Sequence, residues 1–331
     1  MIKSLILVIG VIFTVATYSQ KKAAINYFDQ KPPGMKAEIF APGLFSTGIT
    51  EFTPAFSPDG KECYYTIIGP DRLFLIFRNY VKDKWGLPEI APFNGTRDDA
   101  DLTLSPDGKK VFFWSNRPTE LGETKDDGDI WMAEKINNAW GKAIRLDTFI
   151  NNKKWQIAPT TASNGNLYFA SQAYSSKNSN GHLGKMDLYK CEWVNGKYGE
   201  PVNLGESINS KEMDEEPFIA PDESYIIFSS NREGTIGKQD LYISYKREDR
   251  SWTKATNMGK KVNSAEWEGV PIVSPDGKYL FFSSQRPREN EYKGPNIKYD
   301  NIWPAPAIIP EGKSDIYWID AKIIEELRPK K

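Results

Sequence analysis

The sequence is poor in several side chains on which protein chemistry commonly depends. Its 331 residues include one histidine, His182, which excludes a histidine-rich metal centre and leaves any histidine-dependent nucleophile a single candidate base. The two cysteines, Cys63 and Cys191, match no Cys-x-x-Cys metal or redox spacing and read as small buried hydrophobes. An excess of one charge sign is also missing. With 43 Lys and Arg against 44 Asp and Glu, there is no electrostatic footprint for nucleic acid or anionic lipid. Long apolar runs are absent except for Leu5 to Ala16, which follows Met1-Ile2-Lys3 and precedes Thr17-Tyr18-Ser19-Gln20. That order of charge, apolar stretch and small residues is the pattern of a secretory signal, and the run is short for a membrane span, an N-terminal anchor being the alternative. Cleavage after Ser19 is expected. No cysteine follows to carry a lipid, so the mature chain is expected in the periplasm or outside the cell, without a stable membrane span.

What the chain does have is turns and rings: 25 Gly, 22 Pro and 13% aromatic residues. They are distributed as an internal repeat. Five segments align, at Thr53 to Gly60, Asp101 to Gly108, Ala158 to Gly165, Glu216 to Glu223 and Val270 to Gly277, with Pro58, Pro106, Ser163, Pro221 and Pro275 at intervals of 48, 57, 58 and 54 residues. A period of this size marks a repeat architecture. Each unit has a short apolar run and then a Pro-Asp-Gly-type turn, in which Pro presets φ and Gly accepts a positive φ. A strand of aromatic and β-branched residues follows, such as Val111-Phe-Phe-Trp-Ser115 or Leu280-Phe-Phe-Ser-Ser284. A third strand opens at Asp129, Asp187, Asp240 and Asp315, and a ring (Trp85, Trp140, Tyr198, Trp252) introduces a fourth. Four antiparallel strands per unit, repeated, predict the blades of an all-β propeller, with the ring series packing between blades.

Five repeats predict five blades; six would require a degenerate unit within 288–313. The last unit lacks a fourth strand, whereas Ala37 to Pro42 resembles the fourth-strand sequence Pro88 to Pro92. The N-terminal segment is therefore expected to complete the last blade, leaving no open edge. The domain organisation that follows is a signal at 1–19, a linker at 20–35, one propeller domain at 36–327 and a basic tail at 328–331.

The combination Ser-Pro-Asp-Gly, aromatic strand, Ser-Asn-Arg and Asp-Ile/Leu-Tyr resembles the WD40-like propeller repeat of TolB-type proteins, over essentially residues 36–327. The third unit departs from it with Ser163-Asn164-Gly165, and the first lacks both the Asn-Arg and the Asp-Ile-Tyr, with Phe74 where the others have Asp. The resemblance implies association with envelope proteins. It does not specify chemistry, because propellers host scaffolds, binders and enzymes alike.

The strand order places the second-to-third and fourth-to-first connections on the face opposite the Pro-Asp-Gly turns. These connections are long and varied, as binding loops usually are. The longest, containing Tyr292, Tyr299, Trp303, Pro304 and Pro306, is placed to fold over the mouth. On this face the innermost strands begin at Glu51, Asp99, Gln156, Asp214 and Glu268, with Asp101 and Glu216 forming a second tier by strand alternation. Arg117, Arg232 and Arg286 stand at the exits of second strands. One reading makes these acids and arginines repeat consensus that bridges blades through Arg-carboxylate pairs. The other makes them, with Trp155 and Trp267, a ligand funnel suited to sugar hydroxyls and ring faces.

The function expected from the sequence is an exported, non-catalytic, monomeric propeller that binds an envelope or extracellular protein, or a polysaccharide. Its ligand residues would be drawn from Glu51, Asp99, Asp101, Trp155, Asp214, Glu216, Trp267, Glu268, Arg117, Arg232, Arg286 and Trp303. The alternative is a glycoside hydrolase with a catalytic pair among Glu51, Asp99, Asp214 and Glu268. Similarity to arabinanase-like five-bladed glycosidases is confined to blade number. No cofactor and no metal are expected: the oxygen-rich Lys125 to Asp129 lacks the order of a calcium loop, and His182 reads as a solvated loop residue.

Overall fold

A computed structural model describes residues 24–118, 128–151, 155–172, 185–288, 298–303 and 314–330, apart from the side chain of Thr53. It is an all-β ring of five antiparallel blades. The innermost strands are Glu51–Phe56, Asp99–Leu104, Gln156–Thr161, Asp214–Ile219 and Glu268–Val273, which we number as blades one to five. Second strands (Glu62–Ile68, Lys110–Ser115, Leu167–Ser171, Tyr225–Ser230, Tyr279–Ser284) are buried almost throughout, as continuous apolar runs between packed neighbours should be. The ring closes as the sequence predicts. Glu38–Ile39 pairs antiparallel with Asp315–Asp320, Glu38 opposite Trp318 and Ile39 opposite Tyr317, and so supplies the fourth strand of blade five.

The recurring turn is built by its own side chains. In blades one, two and five, Ser57, Ser105 and Ser274 donate to the Asp two residues on and accept the backbone N–H five residues on. The Gly that follows lies at φ of 69°, 70° and 74°, where a Cβ would be strained. In blade four the same position is Glu223 at φ 60°, and its side chain has a separate task. Its carboxylate accepts from Asn166 and Tyr168 of blade three and lies near Lys190 and Lys246. Burial opposes its charge, but these partners outweigh burial and hold the carboxyl down at about 2.

Each third strand receives a side-chain partner from the connection between blades. Asn151, Asn209 and Asn263 accept the backbone N–H and donate to the carbonyl of Ile130, Leu188 and Leu241, imitating a neighbouring strand. Asn94 accepts from Leu75, and Ser46 exchanges both bonds with Ile316. The ring series packs between units: Trp140 of blade two donates to Tyr64 and packs edge-on to Phe93, while Trp85 stacks on Phe28 at 4.5 Å.

Residues 24–35 do not run free of the ring. Ile25 and Tyr27 are buried between blades one and five, and the Tyr27 hydroxyl donates to Asp276. At the other end a short helix, Lys322–Glu326, buries Ile323 and Ile324, and Arg328 pairs with Glu325 over the Tyr245 ring. Neither feature belongs to the repeat. Cys63 and Cys191 are free and buried, and no helix among the described residues is long and apolar enough to cross a membrane.

Candidate functional site

Glu51, Asp99, Gln156, Asp214 and Glu268 all start innermost strands and are all fully buried. In blades two, four and five the acid is held by one recurrent device. Its first oxygen takes the guanidinium of the arginine 18 residues later: Arg117 on Asp99, Arg232 on Asp214, and Arg286 on Glu268 at 3.2 Å. The second oxygen accepts the backbone N–H four residues earlier, from Gly95, Ser210 and Ser264. Each guanidinium also donates to the carbonyl of Phe93, Ile208 or Val262, 24 residues back, and through Nε to Ser115, Ser230 or Ser284 at 2.9 Å. It lies over two rings, as Arg232 lies 5.1 and 4.8 Å from Phe228 and Tyr242. Planar, charge-assisted bonding of this kind suits Arg far better than Lys.

Blades one and three lack the arginine: Gly69 stands 18 residues after Glu51, and in blade three, whose hairpin is one residue shorter, Ala173 stands two residues after Ser171, the partner of Gln156. Blade three also lacks the acid, with Gln156. Blade one keeps Glu51. One of its oxygens accepts from the backbone and hydroxyl of Thr47, and the other has no hydrogen-bond partner. Burial pushes the Glu51 carboxyl well above the usual range against those two bonds, with Asp315 adding to the rise. The space beside Gly69 is occupied by Phe74 and Trp303, whose rings meet edge-on at 5.0 Å. Tyr299 is buried there too, its hydroxyl 3.3 Å from that of Tyr65, and Asn301 donates to the Pro88 carbonyl. The described part of the long blade-five loop therefore packs on blade one. Tyr292, Pro304 and Pro306 lie outside the described residues, as do Tyr174, His182 and Lys125 to Asp127.

Asp101 and Glu216 do not follow simple alternation. Every innermost strand carries a bulge at its third residue, shown by a register shift in all five first-to-second strand pairs. Asp101, Ala158, Glu216 and Val270 there have φ of 53°, 49°, 53° and 48°, a rare conformation for a β-branched residue such as Val270. The two acids satisfy the donors that the bulges free. Asp101 accepts the backbone N–H of Ala158 in the next blade, and Glu216 accepts that of Val270 at 3.0 Å and the Ser229 hydroxyl at 2.8 Å. Glu215 is linked to Glu216 through Gln239 and Ser229. Burial, then the charge of Glu215, pushes Asp101 up to about 6; burial, Glu215 and Asp101 push Glu216 well above the ordinary range. The space beside these bulges is about 20 Å³, room for one water.

On the same face, Trp267 covers the Gly269 position next to Glu216, where a Cβ would meet both side chains. Trp155 is 42% exposed and lies 6.3 Å from Trp114. Towards blade one, a cavity of about 390 Å³ is lined by Lys238, Glu266, Arg286, Arg288 and Asp315. Lys238 pairs with Glu266, and Arg288 binds Asp315 through two nitrogens. Among the described residues no cluster of His, Cys, Asp and Glu is arranged to hold a metal ion.

No family model and no curated protein matches the chain. Solved structures do. An α-L-arabinofuranosidase from Lactobacillus brevis aligns at 16% identity over 83% of this chain and 91% of that one, with a TM-score of 0.51. A putative TolB from Agrobacterium tumefaciens aligns at 16% identity with the same two coverages and a TM-score of 0.47. TolB from Acinetobacter baumannii aligns at 13% identity over 82% of this chain and 57% of that one, with a TM-score of 0.45. The neighbours thus include TolB-like propellers. At 16% identity and a TM-score of 0.51, the likeness to the arabinofuranosidase bears on the fold alone and carries no activity with it.

Proposed function

We propose that the chain is an exported, non-catalytic propeller that binds an envelope or extracellular protein or glycan through its loop-bearing face. The observation that carries this reading is the internal neutralisation of its acids. Asp99, Asp214 and Glu268 are fully buried and held by arginines, and Glu51 is fully buried behind Thr47. Glycoside hydrolysis needs two carboxyl groups facing a substrate across an open cleft. The raised carboxyls of Asp101 and Glu216 do have the electrostatics of an acid catalyst, but the space next to them, about 20 Å³, is too small for a sugar. Binding therefore falls to the surface around the mouth, where the exposed Trp155 and the charge-lined cavity near Arg288 stand on a rigid frame.

Two measurements test this. Incubated with a panel of polysaccharides, the mature protein is expected to release no reducing ends; release that disappears in Asp101→Asn or Glu216→Gln would overturn the non-catalytic reading. Immobilised protein is expected to retain an envelope component from extract, with Trp155→Ala or charge reversal at Lys238 reducing retention. Unchanged retention in both variants would rule out this face.

A further inference from the structure

We propose that the cleft between blades two and three, on the turn-bearing face, binds a small molecule that carries one carboxylate on a flat apolar body, with Lys110 pairing the carboxylate. The two flanking junctions show what this place in the ring requires. Between blades one and two, the Glu62 carboxylate accepts from Lys135 and, at 3.1 Å, from the Tyr64 hydroxyl, which accepts in turn from Trp140 at 2.7 Å. Between blades three and four, Glu223 accepts from Tyr168 and lies 3.8 Å from Lys246. At both, the ammonium facing the carboxylate also lies over an indole: Lys135 is 4.9 Å from the Trp140 ring and Lys246 is 4.8 Å from that of Trp252. Each junction thus joins a lysine, an indole face and a carboxylate.

The junction between them keeps the lysine and the indole but not the carboxylate. Lys110 and Phe112 are the first and third residues of their second strand, as Glu62 and Tyr64 are of theirs. Trp193 pairs with Tyr198 as Lys135 pairs with Trp140. Lysine therefore stands in the place of Glu62, and phenylalanine in that of Tyr64. The Lys110 ammonium again lies over an indole, 5.0 Å from the Trp193 ring. Here a cavity of about 280 Å³ opens, with Phe112, Trp193, Tyr198 and Pro106 along its wall. It is comparable to the smaller ligand pockets of proteins.

The wall selects its occupant by charge and shape. The Lys110 side chain is 31% exposed, so its charge is within reach of a ligand, and its ion-pair partner is Glu134 of its own blade, at 3.7 Å and 53% exposed. A solvated pair of that kind contributes little, and a carboxylate brought into the cleft would do there what Glu62 and Glu223 do at the flanking junctions. The rings and Pro106 would cover a flat apolar body. Asp107 is the one acid on the wall among the described residues. Its Oδ1 is tied into the turn by the Ser105 hydroxyl at 2.6 Å and the Lys109 N–H at 3.0 Å, and its charge disfavours a ligand with a second negative group. The site is independent of the reading of the loop-bearing face.

The test uses 4-fluorophenylacetate and its uncharged amide, each titrated against the full mature chain by ¹⁹F NMR. Saturable binding of the acid is expected, about tenfold or more tighter than that of the amide. Lys110→Met, which keeps most of the stem over Trp193 and removes the charge, should bring the acid down to the affinity of the amide. Lys135→Met makes the same change at a junction that has its own carboxylate, and should leave the affinity for the acid unchanged. If Lys110→Met does not fold, Lys110→Gln takes its place. No saturable binding of the acid, equal affinities for acid and amide, or equal losses in the Lys110 and Lys135 variants overturns the proposal.

Discussion

Blades two, four and five resolve the problem of a buried carboxylate in one way, and blade one resolves it in another. In the first group an arginine crosses to the acid, stacks on two rings and also binds a carbonyl from the preceding connection. In blade one the arginine is missing, Tyr299 and Trp303 arrive from the blade-five loop, and the carboxyl of Glu51 is pushed towards its neutral form. The same residue type at equivalent positions thus exists in two electrostatic states. One is paired with an arginine in place, and the other is enclosed without one, its carboxyl pushed up by burial.

The contrast is sharpest when a partner is removed. Arg232→Ala leaves Asp214 buried without its counter-charge and is expected to cost about 3 to 5 kcal/mol, read as a fall in the urea midpoint. Adding Asp214→Asn should restore part of that loss. A cost below about 1 kcal/mol would mean that the arginine clamps do not support the ring.

A smaller effect is expected at the bulges and depends on pH. The folded-state carboxyl of Asp101 titrates near 6, above its ordinary 3.8, so the folded protein holds this proton more tightly than the unfolded chain. The resulting stability is complete below about pH 4 and is lost as pH rises through about 6. Asp101→Asn should therefore be level with or less stable than wild type at pH 4 and more stable at pH 8, by up to about 3 kcal/mol. Thermal melts across that range would reveal the crossing, and parallel pH curves for the two proteins would contradict the assignment.

The smallest effect is expected at Glu51. Because burial already disfavours its charged form and no arginine pairs with it, Glu51→Gln should shift stability at pH 7 by no more than about 1 kcal/mol. Asp214→Asn made alone, by contrast, strands Arg232 and should cost several times as much. Equal losses in the two variants would erase the distinction between the blades.

Much of this architecture is legible in the sequence because it repeats. The turns, the aromatic second strands and the likeness of Ala37 to Pro42 with Pro88 to Pro92 were sufficient for blade count and closure. The arginine clamp is legible as well, as a constant spacing from Asp99 to Arg117, Asp214 to Arg232 and Glu268 to Arg286, and blade three loses both members together. Other features leave a weaker trace. Asn94, Asn151, Asn209 and Asn263 each stand five residues before the inner-strand position, after an apolar residue, but only the structure shows that three of them imitate a strand edge on both sides. The bulge defeats simple alternation, so Asp101 and Glu216 serve the backbone of the neighbouring blade. The packing of Ile25, Tyr27, Tyr299 and Trp303 is not repeated anywhere and has no periodic signal.

Closure of the ring by Glu38–Ile39 also orders events in time. Glu38 pairs with Trp318, so the two sides of blade five come from opposite ends of the folded chain. Closing so long a loop is entropically unfavourable before its contacts form, and pairings this distant are slow. Until they form, the third strand of blade five is an open edge, available to any passing strand. The seam is thus expected to form late, and an unfinished molecule is expected to offer that strand edge to another copy of itself.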